Sequence, residues 1–155
     1  QYWTTQGVTK KIDDRWTATG EIFYRYSVDK GESVTEAIRL GATYKTDADY
    51  TLGLNIENRT TDNPNNDEQR LLGHIAQKYK FEGIDLSLRL RQEIRKFASD
   101  SELMFRSRFL GKLDFKNAEF FGFTPFVSDE VYYITNSVGS RAAGTLENRL
   151  SLGLG

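Results

Sequence analysis

From Ile84 to Phe115 the sequence alternates with a period of two, and that alternation restricts the fold more than any other feature of the chain. Every second residue gives Ile84, Leu86, Leu88, Leu90 and Ile94 on one face and Asp85, Ser87, Arg89, Arg91, Glu93 and Arg95 on the other. Successive side chains of a strand point to opposite faces, so the stretch is predicted as strand rather than helix. After a break at Ala98 to Asp100, Leu103, Phe105, Phe109, Leu113 and Phe115 oppose Arg106, Arg108, Lys112 and Asp114, completing an antiparallel hairpin. Strands of soluble proteins typically run to about five or six residues. These run roughly twice that, near the roughly nine to eleven tilted residues that a bilayer requires.

The same alternation recurs along the chain. Tyr2 to Ile12 is a weak strand without a clean face, because Lys10 and Lys11 fall on opposite sides. The Asp13-Asp14 turn leads into Arg15 to Ser27, where Trp16, Ala18, Gly20, Ile22, Tyr24 and Tyr26 oppose Thr17, Thr19, Glu21, Phe23 and Arg25. A loop at Asp29 to Ser33 precedes Val34 to Lys45, with Ile38, Leu40, Ala42 and Tyr44 against Arg39, Gly41, Thr43 and Lys45. Beyond a turn at Thr46 to Asp49, Tyr50, Leu52, Leu54 and Ile56 oppose Thr51, Gly53, Asn55, Glu57 and Arg59. The polar run Thr60 to Glu68 reads as a solvated loop. It lacks the alternating ligands and obligatory glycine of a calcium loop, so no metal is expected there. Leu71, Gly73, Ile75, Tyr79 and Phe81 then oppose Arg70, His74, Lys78 and Lys80, and Glu82-Gly83 turns the chain into the central hairpin. After Lys116 to Glu119, Phe121, Phe123 and Val127 oppose Thr124, Ser128, Glu130 and Tyr132. Asn136 to Gly144 is a small-residue loop, and Leu146, Leu150, Leu152 and Leu154 alternate with Glu147, Arg149, Ser151 and Gly153.

Strand after strand with no helical period implies an all-β chain, a single domain over residues 1–155 folded as an antiparallel up-and-down meander. A flat sheet of so many long strands would leave exposed edges, and closure into a barrel of about 10 strands (roughly 8–12) removes them. The reading yields about nine strands, whereas bacterial barrels have even numbers. A strand missing at one end is therefore expected, in keeping with the lack of an aromatic residue at Gly155. Nothing at Gln1 resembles a leader, the expectation for a mature chain or a fragment of one.

Composition removes several classes of function. Charged residues make up 28% of the chain and the mean hydropathy is -0.57. Those values do not argue against a membrane barrel, where half of each strand and all loops face water. No apolar run approaches the length of a membrane helix. A net charge of -1, without a local basic run, leaves nucleic acid an unexpected partner. Zero cysteines removes disulfides, thiol catalysis and zinc-thiolate sites, and no cofactor motif is present.

Two barrels satisfy this pattern, one spanning a membrane with its aliphatic face outward and one soluble. The soluble alternative is a calycin-like barrel with the leucine faces turned inward around an apolar ligand. The membrane reading draws on the turns, which alternate between short (Asp13-Asp14, Thr46 to Asp49, Glu82-Gly83, Lys116 to Glu119) and longer. On the apolar faces beside the short turns stand Trp16, Tyr44, Tyr50, Tyr79, Phe81, Phe115 and Phe121, an aromatic band of the kind found at membrane interfaces. The middles of the apolar faces from Trp16 onward are nearly free of charge. A charge there would cost about 2–4 kcal/mol in lipid.

Trp3, the Lys10-Lys11 turn, Arg89-x-Arg91-x-Glu93, Arg106-x-Arg108, Pro125-Phe126 with Asp129-Glu130, Glu147-Asn148-Arg149 and the final glycines run through most of the chain. In these the sequence resembles a family of uncharacterised bacterial outer-membrane proteins, the domain-of-unknown-function family 2490. The resemblance implies a barrel in the outer membrane of a Gram-negative bacterium, in contact with membrane lipid, and supplies no activity or protein partner. Members of that family continue past the position where this chain ends.

The polar face collects Arg89, Arg91, Arg95, Arg106 and Arg108, with Glu93, Glu130, Glu147 and Arg149 placed to meet them across a narrow barrel. Two arrangements are open: an ion-pair network that fills the lumen, or an anion-selective or anion-binding lumen, since arginines outnumber carboxylates on the central hairpin. No catalytic residue is expected. His74, the sole histidine, has no serine or aspartate partner at motif spacing and reads as a hydrogen-bonded filler. Carboxylates beside so many arginines stay ionised, which suits a salt bridge better than proton transfer.

Overall fold

The computed structural model describes residues 2–27, 32–118, 121–139, 141–144 and 146–154. Of the expected loop Asp29 to Ser33, residues 29–31 lie outside the described residues, as do Gln1, Glu119, Ser140 and Gly155. The strands are β1 (Tyr2–Lys11), β2 (Trp16–Ser27), β3 (Glu32–Lys45), β4 (Tyr50–Thr60), β5 (Glu68–Phe81), β6 (Ile84–Phe97), β7 (Leu103–Phe115), β8 (Pro125–Ile134) and β9 (Leu146–Leu154). They form one nine-stranded sheet in sequence order, each neighbouring pair antiparallel. This is the meander that the alternation implies. Among the described residues β1 and β9 do not pair, so the sheet is not closed.

The two faces of the sheet have opposite exposures. Ile22, Leu54, Ile56 and Leu152 are 58%, 57%, 58% and 78% exposed, whereas Glu57, Glu93 and Asp85 are 2%, 1% and 1% exposed. No second layer of secondary structure stands among the described residues to cover the charged side. The sheet covers it by rolling up, as the right-handed twist accumulates from strand to strand. The contact of Arg89 on β6 with Glu130 on β8, at 3.2 Å and across β7, lies on the concave side of that curl. The fold is therefore a barrel wall open between β1 and β9, with charges inside and aliphatic side chains outside. The soluble alternative needs the reverse. Leu90, which would line its ligand cavity, is 45% exposed on the outer face.

Register resolves β1, whose faces the sequence leaves ambiguous. The pairs Thr9↔Thr19 and Lys11↔Thr17 place Thr5, Gly7, Thr9 and Lys11 on the interior side, and Val8 faces out. Several strand boundaries move, and β3 begins at Glu32 rather than Val34, so Glu32 and Ser33 of the expected loop belong to the strand. Glu68 is the first residue of β5 rather than the last of a loop, which leaves 61–67 as the connection. At the other end, Phe121 (φ 51) and Gly122 (φ 80) adopt left-handed backbone and β8 begins only at Pro125, so Phe121 lies in a turn. The β7–β8 connection is 116–124, longer than the other turns on that side, and the expected alternation of turn lengths fails there.

The remaining turns at that end are short and locally specified. Asp13 Oδ1 accepts from the amides of Arg15 and Trp16, Thr46 Oγ1 accepts from the amide of Tyr50 at 3.1 Å, and Gly83 supplies φ 76 to the two-residue β5–β6 turn. At the opposite end the chain after β8 folds over the interior. Val138, bridged to Arg141, packs with Phe97 and Met104 in an apolar cluster flanked by Ile134. The Arg141 guanidinium lies 3.7 Å above the Phe97 ring.

Candidate functional site

The interior face is a set of rows that run across the strands, and its chemistry follows from register. One row is Glu21↔Arg39↔Glu57↔Arg70↔Arg95, across β2 to β6. Opposite charges face each other until the last step, where two arginines meet. Glu68, two residues before Arg70 on the same face, fills that gap: it pairs with Arg70 at 2.5 Å and with Arg95 through Nε and Nη2. Arg39 donates to Glu57 through Nε at 2.9 Å and to Glu21 through Nη1 at 3.0 Å. Glu57 also holds Arg59 at 3.0 Å and Arg70 at 3.2 Å.

A second group is centred on Glu93 and Glu130. Glu93, opposite Arg106 in register, accepts from Arg106 Nε at 2.8 Å and from Arg108 Nη1 at 2.9 Å. Arg108 extends to Glu130 at 2.7 Å through Nη2, and Glu130 also accepts from Arg89 at 3.2 Å and from the Tyr132 hydroxyl at 2.6 Å. The guanidinium groups of Arg108 and Arg149 stack on the Tyr132 ring at 4.6 and 5.4 Å. Charge-assisted contacts of this kind are what makes burying so many ions tolerable.

Most of the expected lumen residues come together here: Arg89, Glu93, Arg95, Arg106, Arg108 and Glu130 are all ion-paired. Three expectations need correction. Glu147 is exposed on the edge strand β9 and makes no ion pair among the described residues, because its register partner is Tyr132, not an arginine. Arg149 is opposite Glu130 in register, yet that carboxylate is already taken by Arg89 and Arg108, and Arg149 stacks on Tyr132 instead. Arg91 is buried without a hydrogen bond or ion pair to any described residue, its Nε included. Its register partners are His74 and Arg108, neither of them a carboxylate. His74 departs from expectation as well. It lies flat over Gly53 with its buried Nδ1 unpartnered, rather than held by hydrogen bonds.

Half of the network, from Glu21 and Arg39 to Glu57, Arg59, Glu68 and Arg70, lies outside the lumen cluster that the sequence suggests. A usable signal existed, since folding the chain about Ala48, the centre that keeps the polar faces of β3 and β4 together, puts Arg39 opposite Glu57.

Near the short turns Asp85 binds Lys78 at 2.8 Å and Lys116 at 2.9 Å. On the outer face, Trp16, Tyr44, Tyr50, Tyr79, Phe81 and Phe115 stand at the short-turn ends of their strands, with Phe121 in the neighbouring connection. Trp16 and Tyr44 are cross-strand partners with ring centroids 5.0 Å apart. A second outward set, Tyr24, Tyr26, Phe105 and Tyr133, stands toward the other end, and the sequence reading missed it. The outer face also carries a mid-strand charge that the sequence reading did not place there. Asp129 on β8 is exposed and accepts from Asn148 Nδ2 at 2.7 Å.

No curated protein and no solved structure matches the chain. A family model does match, over residues 1–155, and it carries the description "Protein of unknown function (DUF2490)". The match runs from end to end, and the chain belongs to the DUF2490 family of proteins of unknown function.

Proposed function

We propose that the protein is a β-barrel of the bacterial outer membrane, a structural barrel whose interior is filled by arginine–glutamate pairs. The observation that carries this reading is the inverted burial: carboxylates and guanidinium groups inside, leucine and isoleucine outside. Soluble monomers rarely expose contiguous apolar patches larger than a few hundred Å², and here the outer faces of successive strands are apolar. The spacing of the aromatic sets supports it. Trp16 and Tyr26 on β2 are about 33 Å apart along a strand rising about 3.3 Å per residue. At a tilt near 40° that is about 25 Å of depth, the height of the apolar band of outer-membrane barrels. Asp129 is the exception on that surface, and its hydrogen bond from Asn148 lowers the cost of placing it there. In hydrocarbon the ladder groups of β1 and β9 must also be paired, by each other or by a further strand. A through-conduit is disfavoured by the apolar cluster of Phe97, Met104 and Val138 at one end of the interior.

The test is partition and mobility. The purified protein is expected to need detergent, to insert into lipid vesicles, and to run faster on a gel unheated than boiled. A monodisperse, detergent-free monomer would overturn the proposal.

A further inference from the structure

The interior is uneven in charge balance. Toward the loop end the ion-pair rows are tightly paired, whereas Arg91, nine-tenths buried, has no carboxylate in its row, and Glu93, two residues along the same face, is taken by Arg106 and Arg108. Arg89, one inward position nearer the short turns, has only a share of Glu130, which Arg108 also holds. Below Arg89 a cavity of about 630 Å³ opens toward the short-turn end between Lys45, Thr51, Lys78, Lys80, Ser87 and Arg89. Asp49 is the one carboxylate in its lining, and it pairs with Lys45 at 3.2 Å. In the short-turn half, the facing wall of β1 to β4 bears Thr9, Thr17, Thr19, Thr43 and Gly53, which add no counter-charge, and its carboxylates Glu21 and Glu57, further toward the loops, are held by Arg39, Arg59 and Arg70. A buried guanidinium without a partner is costly unless something anionic reaches it.

We infer that the short-turn half of the interior is a binding site for a small oxyanion, a phosphate or carboxylate group held by the guanidinium groups of Arg91 and Arg89 beside His74. The guanidinium fork matches two oxygens of such a group at once, and the lysines at the mouth raise its local concentration. This rests on the barrel reading, which makes the charged face an enclosed interior. The apolar cluster covers the loop end over β6 and β7, and the cavity beside Arg89 opens at the short-turn end, which is the anion's way in and out.

The experiment is calorimetric titration of the detergent-solubilised protein with inorganic phosphate and, separately, acetate at fixed ionic strength. Saturable binding of one of them by the wild type is expected. Arg91→Gln should keep its fold, as it removes an unpaired charge, and weaken that binding by about 10- to 100-fold, the equivalent of one charged hydrogen-bonded contact. Lys80→Gln, at the exposed mouth, should weaken it less. No binding by the wild type overturns the proposal, as does unchanged affinity in Arg91→Gln. Loss of the fold in Arg91→Gln also overturns it, by showing that Arg91 has a structural partner. The unheated gel shift reads the barrel independently: if it persists while binding is absent, only the anion site fails, and if it is absent the barrel reading itself fails.

Discussion

Glu130 concentrates three donors on one carboxylate, the guanidinium groups of Arg108 and Arg89 and the Tyr132 hydroxyl. Replacing it by glutamine keeps the shape and removes the charge, leaving half-buried Arg89 without a carboxylate and half-buried Arg108 with Glu93 alone. Glu130→Gln is expected to cost about 3–5 kcal/mol, read as a lowered urea midpoint in lipid vesicles, with negligible conductance in planar bilayers. A stable variant would place Glu130 in water. Asp13 behaves differently because it stands in the exposed β1–β2 turn. The amides of Trp16 and Arg15, donating at 2.7 and 2.8 Å, hold its carboxyl below the usual aspartate range. A depressed folded-state pKa means that the stabilisation is complete above the unfolded value, 3.8, and is lost as pH falls through the folded one. Asp13→Asn keeps the acceptor without the titration. Its acid-unfolding curve should therefore be flatter than the wild type below about pH 4, and identical curves would show that the turn contributes nothing.

On β3 to β5 the packing between neighbouring strands depends on missing side chains. A Cβ at Gly53 would stand 1.9 Å from His74 Cε1, and one at Gly41 would stand 2.0 Å from Asn55 Oδ1. The His74 ring occupies the space over Gly53 because its β4 neighbour is bare, and it stands in the same cross-strand row as Arg91. Gly53→Ala forces the ring off its seat and should destabilise the sheet by about 1–3 kcal/mol. Removing the ring as well should restore most of that loss, so Gly53→Ala with His74→Ala is expected to be less than additive. Additive losses in thermal unfolding would mean that the glycine matters for some other reason. The β7–β8 connection carries the opposite lesson about elements. Its residues alternate in type as a strand would, but the left-handed backbone at Phe121 and Gly122 ends the ladder, and Pro125 then starts β8 without a donor to offer.

The arrangement of the whole molecule decides what a charge on the outer face means. Leu90 stands mid-strand on the aliphatic side, 45% exposed. If that side meets lipid, Leu90→Arg should cost about 2–4 kcal/mol of stability in vesicles. Were it water-facing, the same change would stay within about 0.5 kcal/mol, as for ordinary surface substitutions. Refolding yields into vesicles, compared for Leu90→Arg and the wild type, separate the two. Asp129 supplies an internal control, since Asp129→Leu should leave insertion intact or improve it.

The sequence by itself determined which residues share a face, and with that the strands, their antiparallel order and the grouping of Arg89, Glu93, Arg106 and Arg108. Period-two alternation is local information, readable one residue at a time, and the glycine and aspartate turns punctuate it. What only the tertiary structure decided was which face is inside and which charges meet. Both depend on register and curl, which shift entire rows when one turn changes by a residue. That is why Glu68, at the margin of a polar run, joins Arg70 and Arg95. It is also why Glu147, with the right parity, meets tyrosine on an edge strand and Arg91, within an alternating charge motif, meets a histidine and another arginine. Parity assigns a side chain to a face; only the neighbouring strand decides whether an opposite charge stands beside it.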